Sequence, residues 1–134
     1  MLRIEILDWA TARAEASRIR LKVFVEEQRV PREIEMDDRD ADCLHALAWR
    51  DGRAIGTGRL LPDGHIGRMA VLGECRALGV GSAILQCLVE EARRQGRREV
   101  VLSAQTHAIG FYRRHGFIEA GKVFEEAGIP HQEM

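Results

Sequence analysis

Arg76, Gly79 and Gly81, in the stretch RALGVGSAIL (residues 76–85), have the types and spacing of an anion site. They stand at the head of a helical stripe formed by Val80, Ile84, Leu85, Leu88, Val89 and Ala92. The first four N–H groups of a helix lack partners within it, and the aligned peptide dipoles make that end attractive to negative charge. A phosphate group belongs at such a place. Glycine lets the main chain turn tightly and approach a ligand with no Cβ in the way, and an arginine three residues earlier can add a charge-assisted contact. Loop packing alone would use the same glycines. The stretch has neither the Lys-Ser/Thr of a P-loop nor the spacing G-x-G-x-x-G, which weakens nucleoside triphosphate and dinucleotide readings.

Other reactive side chains are sparser. Cys43, Cys75 and Cys87 are odd in number, widely spaced and free of any C-x-x-C pairing, so they indicate neither a disulfide framework nor a zinc cluster and are expected to be small buried thiols. Six acids (Glu33, Glu35, Asp37, Asp38, Asp40 and Asp42) crowd RVPREIEMDDRDAD, which reads as a polar loop with a solvated acidic face. Counted from Asp38, acids fall at positions one, three and five of a calcium loop. Cys43 then replaces the required glycine and Trp49 the closing glutamate, so no EF-hand and no metal site is expected.

The elements that must position these residues follow from periodicity. LRIEIL (2–7) alternates as a strand with one buried face. From Thr11 to about Glu27, Ala12, Ala16, Ile19 and Val23 recur at helical spacing, with Asp8 or Thr11 available as the cap. CLHALAWR and AIGTGRLL read as strands joined at Asp51-Gly52, and HIGRMAVL as a third after Pro62–Gly64, giving an antiparallel meander over 43–72. A helix over 79–95 follows, closed by Gly96. EVVLSA (99–104) suits a buried strand, HAIGFYRRHG a short helix and FIEAGKVF a last strand, with EEAGIPHQEM as a tail. The predicted order is β-α-β-β-β-α-β-α-β, of α+β class, in one domain spanning residues 1–134. The unit of strand 65–72, helix and strand 99–104 should cross over right-handedly with parallel strands, making the central sheet mixed, with flanking helices.

With 134 residues, 46% hydrophobic and 31% charged, the chain has the composition of a soluble globular protein. A net charge of -1 gives no basic field for nucleic acid. No apolar run approaches the roughly 18 residues of a membrane helix, and MLRIEILDWA lacks the apolar core of a secretory signal, so a cytoplasmic protein without a membrane partner is expected.

RMAVLGECRALGVGSAIL resembles the acetyl-coenzyme A (acetyl-CoA) motif of the GNAT superfamily of N-acetyltransferases, a strand, an Arg/Gln-x-x-Gly-x-Gly/Ala loop and a helix. AIGFYRRHGF resembles the second signature of that superfamily, a tyrosine-bearing helix before Gly-Phe. RLKVFVEEQRVPREIEMDDRDADCLH and VFEEAGIPHQEM are similar to the start and end of a bacterial small-molecule subgroup that includes the glyphosate N-acetyltransferases. The four motifs occur in the expected order along nearly the whole chain. Two positions depart: Cys75 stands where an aromatic residue is frequent, and Gln105 where the glyphosate-acetylating relatives have a substrate-binding arginine.

The resemblance implies a GNAT-like fold and transfer of an acetyl group from acetyl-CoA to a primary amine of a small molecule, by direct transfer in a ternary complex. It implies a bulge around Met69, Ala70 and Val71 whose amides hold the pantetheine arm and face the thioester oxygen, a task that suits fixed backbone donors. The pyrophosphate would lie on the amides of Leu78, Gly79, Val80, Gly81 and Ser82 with Arg76 beside it. Tyr112 would be the general acid near the sulfur, and is otherwise an ordinary amphipathic aromatic. His131 would be the general base, since an imidazole takes up a proton near neutral pH. Glu26, Glu27 or a carboxylate acting through water are alternatives. Arg20, Arg68 and Gln105 match positions lining the acceptor pocket, where paired guanidinium groups would favour a carboxylate or phosphate. Taken alone, each arginine reads as solvated or salt-bridged. A non-catalytic acyl-CoA sensor and a protein or peptide acetyltransferase are the competing readings. Strand edges in so small a domain suggest a homodimer.

Overall fold

The computed structural model describes residues 2–134. Its contacts group into two compact units, the first running to Val100 and the second Val101–Met134.

In the first unit, strand β1 (Leu2–Leu7) leads into helix α1 (Trp9–Arg20). The Asp8 carboxylate accepts the Thr11 N–H at 2.9 Å, so the helix starts two residues earlier than the periodicity indicates. Ala12, Ala16 and Ile19 form its buried face. The helical path continues to Glu27 as predicted, but Leu21–Glu27 is wound as a π-helix, with the Gln28 N–H donating to the Val23 carbonyl. Arg29 at φ 61° ends it.

The predicted meander is present: β2 (Leu44–Arg50), β3 (Arg53–Leu60) and β4 (His65–Val71) pair antiparallel, with β1 antiparallel on β2. Asp51 and Gly52 both take positive φ, the geometry of a type I′ hairpin turn. Helix α3 (Val80–Arg94) buries the predicted Val80, Ile84, Leu85, Leu88 and Ala92. Two glycines of β3 let it approach: a Cβ on Gly56 would meet Ile84 Cδ1 at 2.8 Å, and one on Gly58 would meet Ile84 Cγ2 and Leu88 Cδ1 at 3.0 Å.

The segment expected to be a solvated acidic loop is not solvated throughout. It folds into helix α2 (Arg32–Glu35) and a short 3-10 turn at Asp40–Asp42, and it buries Glu35 and Asp40 at 2% and 3% exposure. Buried acids must be compensated, and arginines from other elements do so here.

In the second unit, β5 (Val101–Gln105) precedes helix α4 (Ile109–Arg114). The strand expected at FIEAGKVF does not form there. Gly121 takes φ 74° within it, residues 118–123 are exposed, and pairing passes instead to a hairpin of β6 (Phe124–Glu126) and β7 (Ile129–Glu133). Ala127 and Gly128, both at positive φ, form the turn, so the expected tail is itself a strand, antiparallel to β5.

Candidate active site

In the first unit the site is built from β4, the loop after it and the start of α3. Thr57 pairs with Ala70 and Arg59 with Gly67, so Arg68 and Met69 together oppose the single residue Gly58. This is a β-bulge, and Arg68 within it takes φ 49°. Ala70 and Val71 follow directly and pair regularly with Thr57 and Gly56. The bulge therefore lies at 68–69, overlapping the expected stretch 69–71 at Met69.

After Val71 the chain makes a 3-10 turn at Gly73–Cys75, which buries Cys75. Arg76 is tied at its root and its tip: Nε donates to the Val71 carbonyl at 3.0 Å, and Nη2 pairs with Glu27 at 2.8 Å. Glu27, one of the alternative bases, is thus engaged with Arg76. Ala77 and Gly79 both take positive φ, and Leu78 between them is 54% exposed. Gly79 is the N-cap of α3 and supplies no side-chain acceptor to the first N–H groups of the helix. A Cβ at Gly79 would meet nothing within 4 Å, so open space lies beside an uncapped end of a 15-residue helix. Such an end suits the diphosphate of coenzyme A by charge and by access.

Arg20 is placed differently from expectation. It is buried, with Nε on Glu35 Oε1 at 2.6 Å, Nη1 on Asp40 Oδ1 at 2.9 Å, and Nη2 on Asp40 Oδ2 and the Glu35 carbonyl. Every guanidinium nitrogen has an internal acceptor, so Arg20 presents no free cation to an acceptor and instead holds the acidic segment down. Arg59, unnoticed in the sequence, completes this network by donating to Asp37 Oδ1 and Oδ2 and to Asp40 Oδ1 at 2.8–2.9 Å. Arg59 holds the Asp37 carboxyl at about 2. Burial alone would raise the Asp40 carboxyl, but Arg20 and Arg59 keep it below its usual range. Burial also disfavours a charged His45, whose Nε2 lies 2.9 Å from the Asp40 carbonyl. The signal available in the sequence was an arginine in the otherwise apolar and glycine-rich strand AIGTGRLL, where an unpaired charge would be costly.

Arg68 reaches the same segment more loosely. Its Nη2 lies 3.3 Å from Asp37 Oδ2 and 3.4 Å from the carbonyls of Ile34 and Glu35, and a quarter of the side chain is exposed. Burial and the nearby Arg59 lower its affinity for a proton, and Asp37 and Glu35 oppose that shift in part.

In the second unit, Gln105 on β5 and His131 on β7 are direct cross-strand partners. Their spacing of 26 residues gave no hint of this. His131 is 8% exposed, its Nδ1 lies 2.7 Å from the Ile129 carbonyl and its ring stacks on Phe124 at 5.9 Å. A carbonyl only accepts, so Nδ1 carries a hydrogen. Nε2 faces Glu126 Oε2 at 3.8 Å. Tyr112 lies on α4, edge-on to Phe111 and Phe117, and burial pushes its hydroxyl up to about 12. It is protonated at neutral pH, as a proton donor must be.

A bulged strand, a turn with left-handed glycine and an uncapped helix end thus follow one another along the chain. Residues 10–134 match the family model described as "Acetyltransferase (GNAT) domain", so the chain belongs to the GNAT acetyltransferase family and is an N-acetyltransferase. The Bacillus subtilis (strain 168) protein "Uncharacterized N-acetyltransferase YjcF" is 38% identical over 120 residues, 87% of this chain and 86% of that protein. Protein ElaA of Escherichia coli (strain K12) is 34% identical over 121 residues, 84% and 79% of the two chains. The crystal structure of an acyl-CoA N-acyltransferase from Pseudomonas aeruginosa superposes with TM-score 0.87 at 32% identity, covering 99% of this chain and 97% of that one. The fold is thus the mixed α+β GNAT fold that the sequence motifs imply. Among the described residues no helix is long and apolar enough to cross a membrane.

Proposed function

We propose that this protein transfers the acetyl group of acetyl-CoA to the primary amine of a small molecule, directly, in a ternary complex. The observation that carries the reading is the uncapped N-terminus of α3, entered through left-handed Gly79 directly after a bulged β4. The family match runs across both compact units, which supports one N-acetyltransferase domain over 1–134.

Bound acetyl-CoA supplies a thioester carbonyl. The amides of Leu78 to Ser82, with Arg76, hold the diphosphate, and the backbone of Met69, Ala70 and Val71 holds the pantetheine arm and the thioester oxygen. His131 Nε2 takes the proton of the acceptor ammonium, aided by the Nδ1 hydrogen bond to Ile129 that fixes its tautomer. The amine nitrogen bonds to the acetyl carbon as the carbon–sulfur bond breaks. Tyr112 donates its hydroxyl proton to the departing sulfur, and the second proton, shed by the new amide nitrogen, returns through solvent to the Tyr112 oxygen. Arg68 and Gln105 contact the acceptor, and Arg20 acts from behind by fixing the segment against which Arg68 rests. A partly exposed Arg68 supports an acceptor carrying a carboxylate or phosphate. The tail GIPHQEM supports kinship with the glyphosate-acetylating subgroup, whereas Gln105 in place of arginine supports a different acceptor. Free Cys43, Cys75 and Cys87 are in keeping with the reducing cytoplasm.

The test is thiol release from acetyl-CoA with a panel of small amines and with peptides. Amine-dependent release that falls by ~10²–10⁴ in Tyr112→Phe and in His131→Gln is the expected result. Tight cofactor binding without release for any acceptor would instead identify an acyl-CoA sensor. Release with peptides alone would identify a protein acetyltransferase.

A further inference from the structure

Strand β6 lies at the outer end of the order β5-β7-β6, and every residue from Lys122 to Glu126 is exposed. Val123 and Phe124 are two of the few large apolar side chains in the open, at 57% and 40%. The ladder with β7 shows which backbone groups face outward. Glu125 pairs with Pro130, which has no N–H to give, so this is a non-hydrogen-bonded pair and the N–H and C=O of Glu125 point to the open edge. Carried one step beyond β6, the same alternation would turn the N–H and C=O of Val123 outward once a partner strand pairs there. Strand β6 itself covers Phe124–Glu126; Lys122 and Val123 lead into it with no positive φ between Gly121 and Ala127, and a partner strand would extend the edge back to Lys122.

Exposed apolar edges of this kind are templates for another strand. A two-fold partner must place the outward-facing residues 123 and 125 opposite one another or opposite themselves, which allows centres at 123, 124 or 125. Centring on Glu125 opposes two carboxylates, and centring on Val123 sets Lys122 against an aromatic ring. Centring on Phe124 sets Lys122 opposite Glu126 of the second copy at both ends, and Phe124 against Phe124 in the middle. Opposite charges and aromatic pairs directly across antiparallel strands stabilise, and like charges destabilise.

We propose that a second copy of this chain pairs with the Lys122–Glu126 edge as an antiparallel strand centred on Phe124. The second copy is favoured over an unrelated partner because the sequence KVFEE is complementary to itself in that register and in neither neighbouring one. Phe124 also stacks on His131, so the dimer would cover the ring that rests on the proposed base. A five-residue edge is smaller than a standard interface, which places the dimer in the weak, concentration-dependent class. This inference does not rest on the catalytic reading, because its test reads association alone.

Sedimentation velocity of the full chain over a wide concentration series, with circular dichroism to confirm folding, decides it. The native protein should show a reversible monomer–dimer equilibrium. Lys122→Glu and Glu126→Lys, each placing like charges opposite at both ends, should each weaken it on the order of tenfold. Combining the two restores opposite charges and should return the dissociation constant to within a few-fold of native. Glu125→Pro, which removes an outward N–H without removing one that bonds to β7, should abolish the dimer. A native protein that stays monomeric, a dimer indifferent to the single reversals, or a double variant no better than the singles would overturn the proposal.

Discussion

Asp40→Asn probes the buried ion network with almost no change of shape. Asp40 accepts from Arg20 Nη1 and Nη2 and from Arg59 Nη1, at 2.9, 3.1 and 2.9 Å, and the two arginines are 1% and 5% exposed. An amide removes the negative charge and turns an NH₂ group toward guanidinium N–H groups. Removing one partner of a buried pair costs about 3–5 kcal/mol, since the remaining charge stays desolvated. Glu35 and Asp37 still face the two arginines, which puts the loss near the lower bound, ~3 kcal/mol. With a urea slope of about 1–3 kcal/mol/M, the unfolding midpoint at pH 7 should fall by about 1–3 M at unchanged slope. Equilibrium unfolding followed by circular dichroism measures this. A loss below ~1 kcal/mol, the scale of an exposed pair, would mean that Arg20 and Arg59 are hydrated and that the acidic segment is not held as described.

Acid should weaken the same network. The Asp37 carboxyl sits at about 2 in the folded protein, below its unfolded value of about 3.9. Its contribution is therefore full above pH 4 and lost as pH falls through 2, and with solvent screening it amounts to about 1–2 kcal/mol. Urea midpoints between pH 5 and 2 should drop less steeply in Asp37→Asn than in the native protein, and parallel curves would refute the assignment. Gly58→Val should cost about 1–3 kcal/mol by crowding Ile84, Leu88 and Met69, whereas Gly67→Ala, where a Cβ meets nothing, should stay within about 0.5 kcal/mol. Thermal unfolding compares the two. Gly79→Ala forces a side chain into φ 78° at a cost of roughly 1–2 kcal/mol, and calorimetry with coenzyme A should show severalfold weaker binding.

Much of the fold was legible because it is written in short-range pattern. Asp51-Gly52 announced a hairpin because both residues tolerate positive φ, and the stripe of α3 matched its buried face at every position but Val89, which is half-buried. The uncapped helix end at Gly79 was legible for the same reason, since helix ends expose their N–H groups wherever they occur. The last hairpin was missed because Ala-Gly is a weaker turn signal than Asn-Gly or Asp-Gly, and because Pro130 argues against a strand unless it falls at a non-hydrogen-bonded site.

Sequence by itself determined the family motif, the order of elements from β1 to α4 apart from α2, and the residue types available for chemistry, because each depends on neighbours within a few positions. Only the tertiary structure decided that Glu35, Asp37 and Asp40 face arginines and not water, that Arg20 is committed while Arg68 is partly open, and that Gln105 stands across from His131. Charge pairing and burial depend on which distant segments meet, and no local pattern in an acidic loop records the arginines that come to lie against it.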